Sequence, residues 1–214
     1  MYIGRIVSVA CTPDGRVAAG YRVSSRSFPN RTAVPGAGKV SIVPKAGHEG
    51  DVLKNPYIAY NCVRIVRGGS VAVATNGSQT DPIAEKIDMG MPIRDALASC
   101  SLAMDFEKDQ YNTPRVSAVV DAANGTGYLA TVREDGLEVR RVALAPGQYY
   151  YVATYEENSI TTAQGGTYGA GSADALCQFL LGGGRFAERT NPVTAVAAVW
   201  DGAAFQLAAH DAQG

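Results

Sequence analysis

Between positions 21 and 31 the chain reads Tyr21-Arg22-Val23-Ser24-Ser25-Arg26-Ser27-Phe28-Pro29-Asn30-Arg31, three guanidinium groups set among hydroxyls and an amide. Arginine presents a rigid fork of donors matched to phosphate or carboxylate oxygens, and serine hydroxyls with loop N–H groups can complete such a cradle. Single surface arginines are commonplace. Three of them spaced through one Ser/Asn-rich turn point to a phosphate-bearing small molecule. A second group, Asp105, Glu107 and Asp109, follows an apolar helical stripe, with Lys108 as the cation among them. A helix C-terminus favours cations. Carboxylates there are therefore either a frayed acidic surface turn or acids held toward a cationic partner.

These groups need elements to carry them. Residues 2–9, the Thr12-Pro13-Asp14-Gly15 turn and residues 16–23 read as a hairpin, which places the arginine cluster at a strand exit. After a Gly/Pro-rich loop, short strands are expected at 39–43, 57–66 and 71–75, the last two separated by Arg67-Gly68-Gly69-Ser70. Asp81 as N-cap with Pro82 behind it opens a helix that Gly90 closes, and Pro92 opens a second. Ile93, Ala96, Leu97, Cys100 and Met104 form one apolar stripe of that second helix, and Ala98 and Leu102 add apolar character elsewhere, so it is expected to be mostly buried. Strands follow at 115–121, 127–133, 137–144 and 148–155, separated by Asn124-Gly125, Asp135-Gly136 and Pro146-Gly147. A helix over 172–181 with Ser172 as N-cap and a hairpin of 193–200 with 203–209 complete the chain. Antiparallel strands interrupted by few helices predict an α+β fold, a four-layer α-β-β-α sandwich in a single domain over residues 1–214.

Composition narrows the function classes. Hydrophobic residues make up 46% and charged residues 18% of the 214, and a net charge of -1 supplies no general pull toward nucleic acid or anionic membrane. Cys11, Cys62, Cys100 and Cys177 form no CxxC pair, and His48 and His210 are the two histidines, so no metal site is expected. The cysteines read as small hydrophobes, Cys11 as a strand-end packing residue, in a reduced, cytoplasmic setting.

Four longer motifs, YRVSSRSFPNR at 21–31, KNPYIAYNCVRIV at 54–66, ATNGSQTDPIAEKI at 74–87 and AMDFEKDQYNTPR at 103–115, together closely resemble the archaeal-type IMP cyclohydrolase family. The resemblance runs in order to about Glu156, and the Gly/Ala-rich remainder matches more loosely. It implies a fold of the N-terminal nucleophile hydrolase type, and closure of 5-formamidoimidazole-4-carboxamide ribonucleotide (FAICAR) to inosine monophosphate (IMP) and water, the last step of de novo purine synthesis. It implies no cofactor and no metal, and a homo-oligomer for which a tetramer is one form. A hydrolase of this fold would need Cys, Ser or Thr as its mature first residue, whereas this chain begins Met1-Tyr2. Cyclisation needs no such nucleophile, because the attacking nitrogen belongs to the substrate. Two other functions stay open: an amidohydrolase of the same fold, and a non-catalytic purine-nucleotide binding or regulatory protein.

Site roles follow from the matched motifs and the chemistry. Glu107 is the expected general acid/base, with Asp105 as the alternative, and Arg26 and Tyr60 join it as catalytic groups. Arg22, Arg31, Ser24 and Asn30 are expected to hold the nucleotide, with the arginines divided in an unassigned way between phosphate and oxyanion. Lys54 and Asn55 suit phosphate or ribose, Asn76 or Ser78 the base edge, and Tyr111 or Asn112 the substrate. Strand alternation sets Tyr60 and Asn61 on opposite faces, so both cannot point into one cavity except at a bulge or strand end. Tyr150, Tyr151 and Tyr155 are read as sheet packing, with Glu156 at a strand end able to reach a cavity, and both histidines as surface residues.

Overall fold

The Thr12 to Gly15 turn closes the first hairpin as its residues dictate: Gly15 sits at φ +89°, where a side chain would be strained, and Thr12 Oγ1 accepts from the Arg16 N–H. In the computed structural model, which describes residues 1–213, this hairpin joins β1 (Ile6–Cys11) to β2 (Val17–Ser24). The following strands are β3 (Arg31–Gly36), β4 (Lys39–Pro44), β5 (Tyr60–Val66), β6 (Val71–Thr75), β7 (Arg115–Asp121), β8 (Thr126–Arg133) and β9 (Gly136–Val142). The last four are β10 (Gln148–Ala153), β11 (Gly165–Thr167), β12 (Pro192–Trp200) and β13 (Phe205–Asp211). The helices are α1 (Asp51–Lys54), α2 (Thr80–Asp88), α3 (Ile93–Met104) and α4 (Ala173–Gly182).

Two sheets result, β11-β10-β1-β2-β12-β13 and β3-β4-β5-β6-β7-β8-β9, every neighbouring pair antiparallel. The strand period of two sorts side chains between layers. On β2, Ala19, Tyr21 and Val23 face inward to meet Val40, Ile42, Ala74, Val116 and Leu129 of the other sheet. Ala18, Gly20 and Arg22 face outward to α4, whose Leu176, Cys177 and Leu180 cover that side. Gly20 lets α4 lie close there, since an added Cβ would fall 2.6 Å from Leu180 Cδ1 and 2.8 Å from Ser8 Oγ and those side chains would have to shift. On the opposite side α2 and α3 bury Ile83, Ile87, Ile93, Leu97 and Cys100 against Val71, Val73 and Val119. The layers are thus α-β-β-α, the α+β sandwich expected from element order. No helix among the described residues is long and apolar enough to cross a membrane.

Local differences from expectation have physical reasons. Strand β3 is an edge strand paired with β4 alone, which is why Pro35 is tolerated inside a stretch that reads as loop. Strand β11, Gly165-Gly166-Thr167, lacks the side chains that signal a strand and is held by pairing with β10. Asp81 lies inside the first turn of α2 rather than capping it, and its carboxylate accepts from Asn61 and Arg64. Helix α3 is buried on one face only: Leu102 is 75% exposed. All four cysteines are free and buried, Cys11 at the end of β1.

Candidate active site

A cleft of about 950 Å³ opens at the end of the sandwich where β2 exits and β1, β5 and β7 begin. Its walls come from the Ser24 to Phe28 turn with Arg31, from Lys54 to Ile58, from Glu107 to Tyr111, and from Tyr155 and Glu156 beyond β10. Tyr2 and Arg5, ahead of β1, complete it.

The floor is a buried charge cluster. Gly4 has φ +74°, and a Cβ there would overlap Thr154 Oγ1 at 2.1 Å, so only glycine brings the chain through to Arg5. Arg5 then donates from its backbone N–H to Thr154 Oγ1 (3.1 Å) and from Nη2 to Glu107 Oε2 (3.0 Å). Glu107 is fully buried, its N–H bonded to Thr113 O, with Arg115 Nη1 3.6 Å from Oε1. Burial raises the Glu107 carboxyl above its ordinary range, against the opposing pull of Arg5 and Arg115. Burial also works against the charge of Arg5, but Glu107, then Tyr60, Tyr21 and Tyr155, outweigh it and hold this guanidinium above its usual value. Arg115 is shifted down by burial, with Glu107 opposing.

The segment that delivers Glu107 is tightly tied. Asp105, just after α3, adopts φ 56° and ψ -173°, a conformation that costs a side-chain-bearing residue about 1–3 kcal/mol. Asp109 accepts from the N–H groups of Tyr111 and Thr113 and from Thr113 Oγ1, and Thr113 Oγ1 also pairs with Tyr155 Oη at 2.7 Å. The acidic run after α3 therefore divides: Asp105 and Asp109 bind turns, and Glu107 turns inward.

On the wall, Arg26 is exposed at the mouth and lies over the Tyr2 ring, 4.3 Å from its centroid. Arg31 is 3% exposed; its Nε donates to Phe28 O (3.0 Å), and its buried Nη1 has no acceptor among the described residues. Lys54 and Asn55 border the opposite side, Asn55 also accepting from the Tyr57 N–H at the start of a short 3-10 turn. Ser24, Tyr111 and Glu156 face the cleft as well.

Other expected site residues lie elsewhere. Arg22 does not face the cleft: the alternation of β2 turns it outward, where its guanidinium donates to Leu180 O (3.0 Å), Phe186 O (3.2 Å) and Arg189 O (2.6 Å) and burial brings it down to about 10. Tyr60 is not on the cleft surface either, because β5 points it into the inter-sheet core, where its hydroxyl meets Tyr21 Oη at 2.5 Å. Burial raises both phenols, and Arg31 and Arg5 counter it. Asn61, on the opposite face as alternation requires, bonds Asp81 and Ser41. Asn76 is consumed in joining β6 to β7, donating to Pro114 O and accepting from the Val116 N–H. Ser78 is exposed outside the cleft, Asn112 bonds Glu134, and Asn30 sits at the root of β3, where its carbonyl accepts from the Lys45 N–H.

Sequence reasoning missed Arg5, Arg115, Tyr2 and Tyr57. The signal for Arg5 is a charged residue between Gly4 and the uninterrupted apolar start of β1, a place where burial is forced on it.

A family model described as IMP cyclohydrolase-like protein matches residues 2–204. A Methanosphaera stadtmanae protein named IMP cyclohydrolase is 48% identical over 92% of this chain and 94% of its own length. Proteins of that name from Methanocella arvoryzae, 50% identical over 83% of this chain and 84% of theirs, and Haloquadratum walsbyi, 43% identical over 77% and 76%, match as well. With a match that takes in every strand but β13 and every residue of the cleft, the chain belongs to the IMP cyclohydrolase-like family.

Proposed function

We propose that the cleft binds FAICAR and closes its ring to IMP. The observation that carries this reading is the fully buried Glu107 on the floor of a cation-lined cleft, in a chain of this family. Arg26 and Lys54 at the mouth are the groups for the phosphate, where a mobile dianion can be met without prior desolvation. Arg31, with a buried donor waiting for an acceptor, is the group for the formyl oxygen as it gains negative charge, and Arg5 supports it from the floor. Tyr60 acts behind these two guanidinium groups rather than on the substrate.

The chemistry balances without any group outside the chain. The carboxamide nitrogen bonds to the formyl carbon and gives up one proton, which Glu107 accepts and passes to the formyl oxygen, making a carbinolamine. Loss of that hydroxyl, protonated to water, with the proton of the adjacent ring-bound nitrogen, leaves the C=N bond of IMP. Holding the two amides coplanar with the imidazole is the main requirement, and orientation of this kind is worth about 7–11 kcal/mol in favourable intramolecular reactions.

The packed antiparallel sheets with outer helices support a fold of the N-terminal nucleophile hydrolase type, and the continuous inter-sheet core supports a single domain. A homo-oligomer, a tetramer in one form, and a cytoplasmic location rest on the family resemblance. Mixing the purified protein with FAICAR, without folate or added metal, and following IMP by absorbance and chromatography tests the central reading. Formation above the uncatalysed rate is expected. Tight binding without turnover would replace it with a regulatory role.

A further inference from the structure

We propose that Asp105 is a positioning residue whose unusual backbone conformation sets Arg115 against Glu107. The proposal rests on Glu107 being the proton-transfer group. Ordinary left-handed residues have ψ near +47°, a region that Asp and Asn tolerate through local hydrogen bonds. Asp105 instead combines φ 56° with ψ -173°, where glycine is at home and side chains are strained. The C-terminus of α3 disfavours an anion, and the Asp105 carboxylate is offset there by Lys108.

What the conformation achieves is specific. It turns the Asp105 carbonyl onto Arg115 Nε at 2.9 Å. Arg115, also held by Gln79 Oε1 at 3.0 Å, then lies 3.6 Å from Glu107 Oε1, an oxygen that has no hydrogen bond of its own among the described residues. The Asp105 side chain steadies the same turn, accepting from the Phe106 N–H (2.9 Å) and Lys108 Nζ (2.6 Å). One residue thus aims the main chain toward Glu107 and anchors the cation facing it. The charged groups that face Glu107 are Arg5 from the segment before β1, Arg115 from β7 and Asp109 from its own loop. Arg115 is the one whose place depends on the Asp105 peptide.

The test is a series at position 105, Asp105→Gly, Asp105→Ala and Asp105→Val, together with Arg115→Gln. Glycine accepts the conformation freely and valine opposes it most. Turnover should be best kept with glycine, which loses only the side-chain bonds to Phe106 and Lys108, fall further with alanine, and fall furthest with valine, by about ten- to a hundredfold in kcat at unchanged KM. The acid limb of kcat should move to higher pH in the same order. Carboxyl ¹³C NMR of glutamate-labelled protein, with Glu107→Gln identifying the resonance, reads the Glu107 midpoint without substrate. That midpoint should rise in Asp105→Val and Arg115→Gln alike, and the double variant should add nothing. If Asp105→Val does not fold, the glycine and alanine variants with Arg115→Gln make the same comparison. Wild-type kcat and midpoint in folded alanine and valine variants, or a loss with glycine as large as with valine, would overturn the proposal. Should the wild-type protein itself fail to make IMP, the functional reading falls, and the NMR midpoints still decide the role of Asp105.

Discussion

Arg5 Nη2 and Glu107 Oε2 meet at 3.0 Å on the cleft floor, across 102 residues of chain. Neither residue could be held there alone. A lone buried carboxylate would neutralise and a lone buried guanidinium would lack its acceptor, whereas the pair retains charge where the two side chains are only 11% and 1% exposed. The contact exists because Gly4 lets the chain cross Thr154 and because the Asp105 and Asp109 turns fold Glu107 inward.

The first consequence concerns pH. Glu107 must be ionised to take a proton, and burial raises its folded-state pKa, so kcat should decline as pH falls through a midpoint above the ordinary glutamate value of about 4.3. Glu107→Gln should abolish that limb and lower kcat by about 10²- to 10⁴-fold. The same shift has the opposite sign for stability. Between the ordinary and the raised value the folded chain holds more protons than the unfolded one, so Glu107 makes stability fall as pH rises through that window. Denaturant titrations across the window should show this slope in wild type and not in Glu107→Gln.

Removing Arg5 should push Glu107 further in the same direction. With Arg5→Met the carboxyl keeps Arg115 alone against the effect of burial, and the acid limb of kcat should move to higher pH than in wild type. A pH–rate profile superimposable on wild type would show that this ion pair does not govern the reaction.

The two arginines of the wall should separate kinetically. Arg26 is exposed and free to follow a phosphate, so Arg26→Ala should raise KM by about tenfold while kcat is largely kept. Arg31 is buried with an unpartnered Nη1, and a donor engaged only as charge develops affects kcat, so Arg31→Lys should lower kcat with little change in KM. The reverse pattern would exchange their roles.

Much of this was legible in the chain because local chemistry determined it. The Thr12 to Gly15 turn, the β7, β8 and β9 meander, the Pro92 start of α3 and the Ser172 cap of α4 all carry their own turn or capping residues, and Ser172 Oγ does accept from the Ala175 N–H. The acidic turn was recognisable as a misfit to a helix C-terminus in Asp105, Glu107 and Asp109, but which of the three turns inward depends on Arg5, a partner 102 residues away. Arg22 and Arg31 look alike in sequence. What separates them is strand phase: Arg22 follows Tyr21 on the outward face of β2, whereas Arg31 comes after the chain has left that sheet. A period-two reading carried through from Ala19 and Tyr21 would have turned Arg22 away from the cleft, as it did separate Tyr60 from Asn61.

That displacement gives Arg22 a structural task that can be measured. Its guanidinium is fully buried and donates to the carbonyls of Leu180, Phe186 and Arg189, closing the C-terminal end of α4 and the turn after it onto β2. Leu180 O is a last-turn carbonyl of α4 that lacks an intrahelical donor, whereas Phe186 O also accepts from the Arg189 N–H at 3.1 Å. Arg22→Met retains much of the apolar stem and removes every donor, and each buried acceptor left unpaired costs about 1–3 kcal/mol. The variant should lose about 3 kcal/mol or more, which for a domain of this size lowers Tm by roughly 6–12 °C. Well below that temperature its KM for the nucleotide should match wild type, because the residue does not line the cleft and reaches it only through Ser24 Oγ, which accepts from its Nε at 3.0 Å. A variant with unchanged Tm and a raised KM would return Arg22 to the binding site.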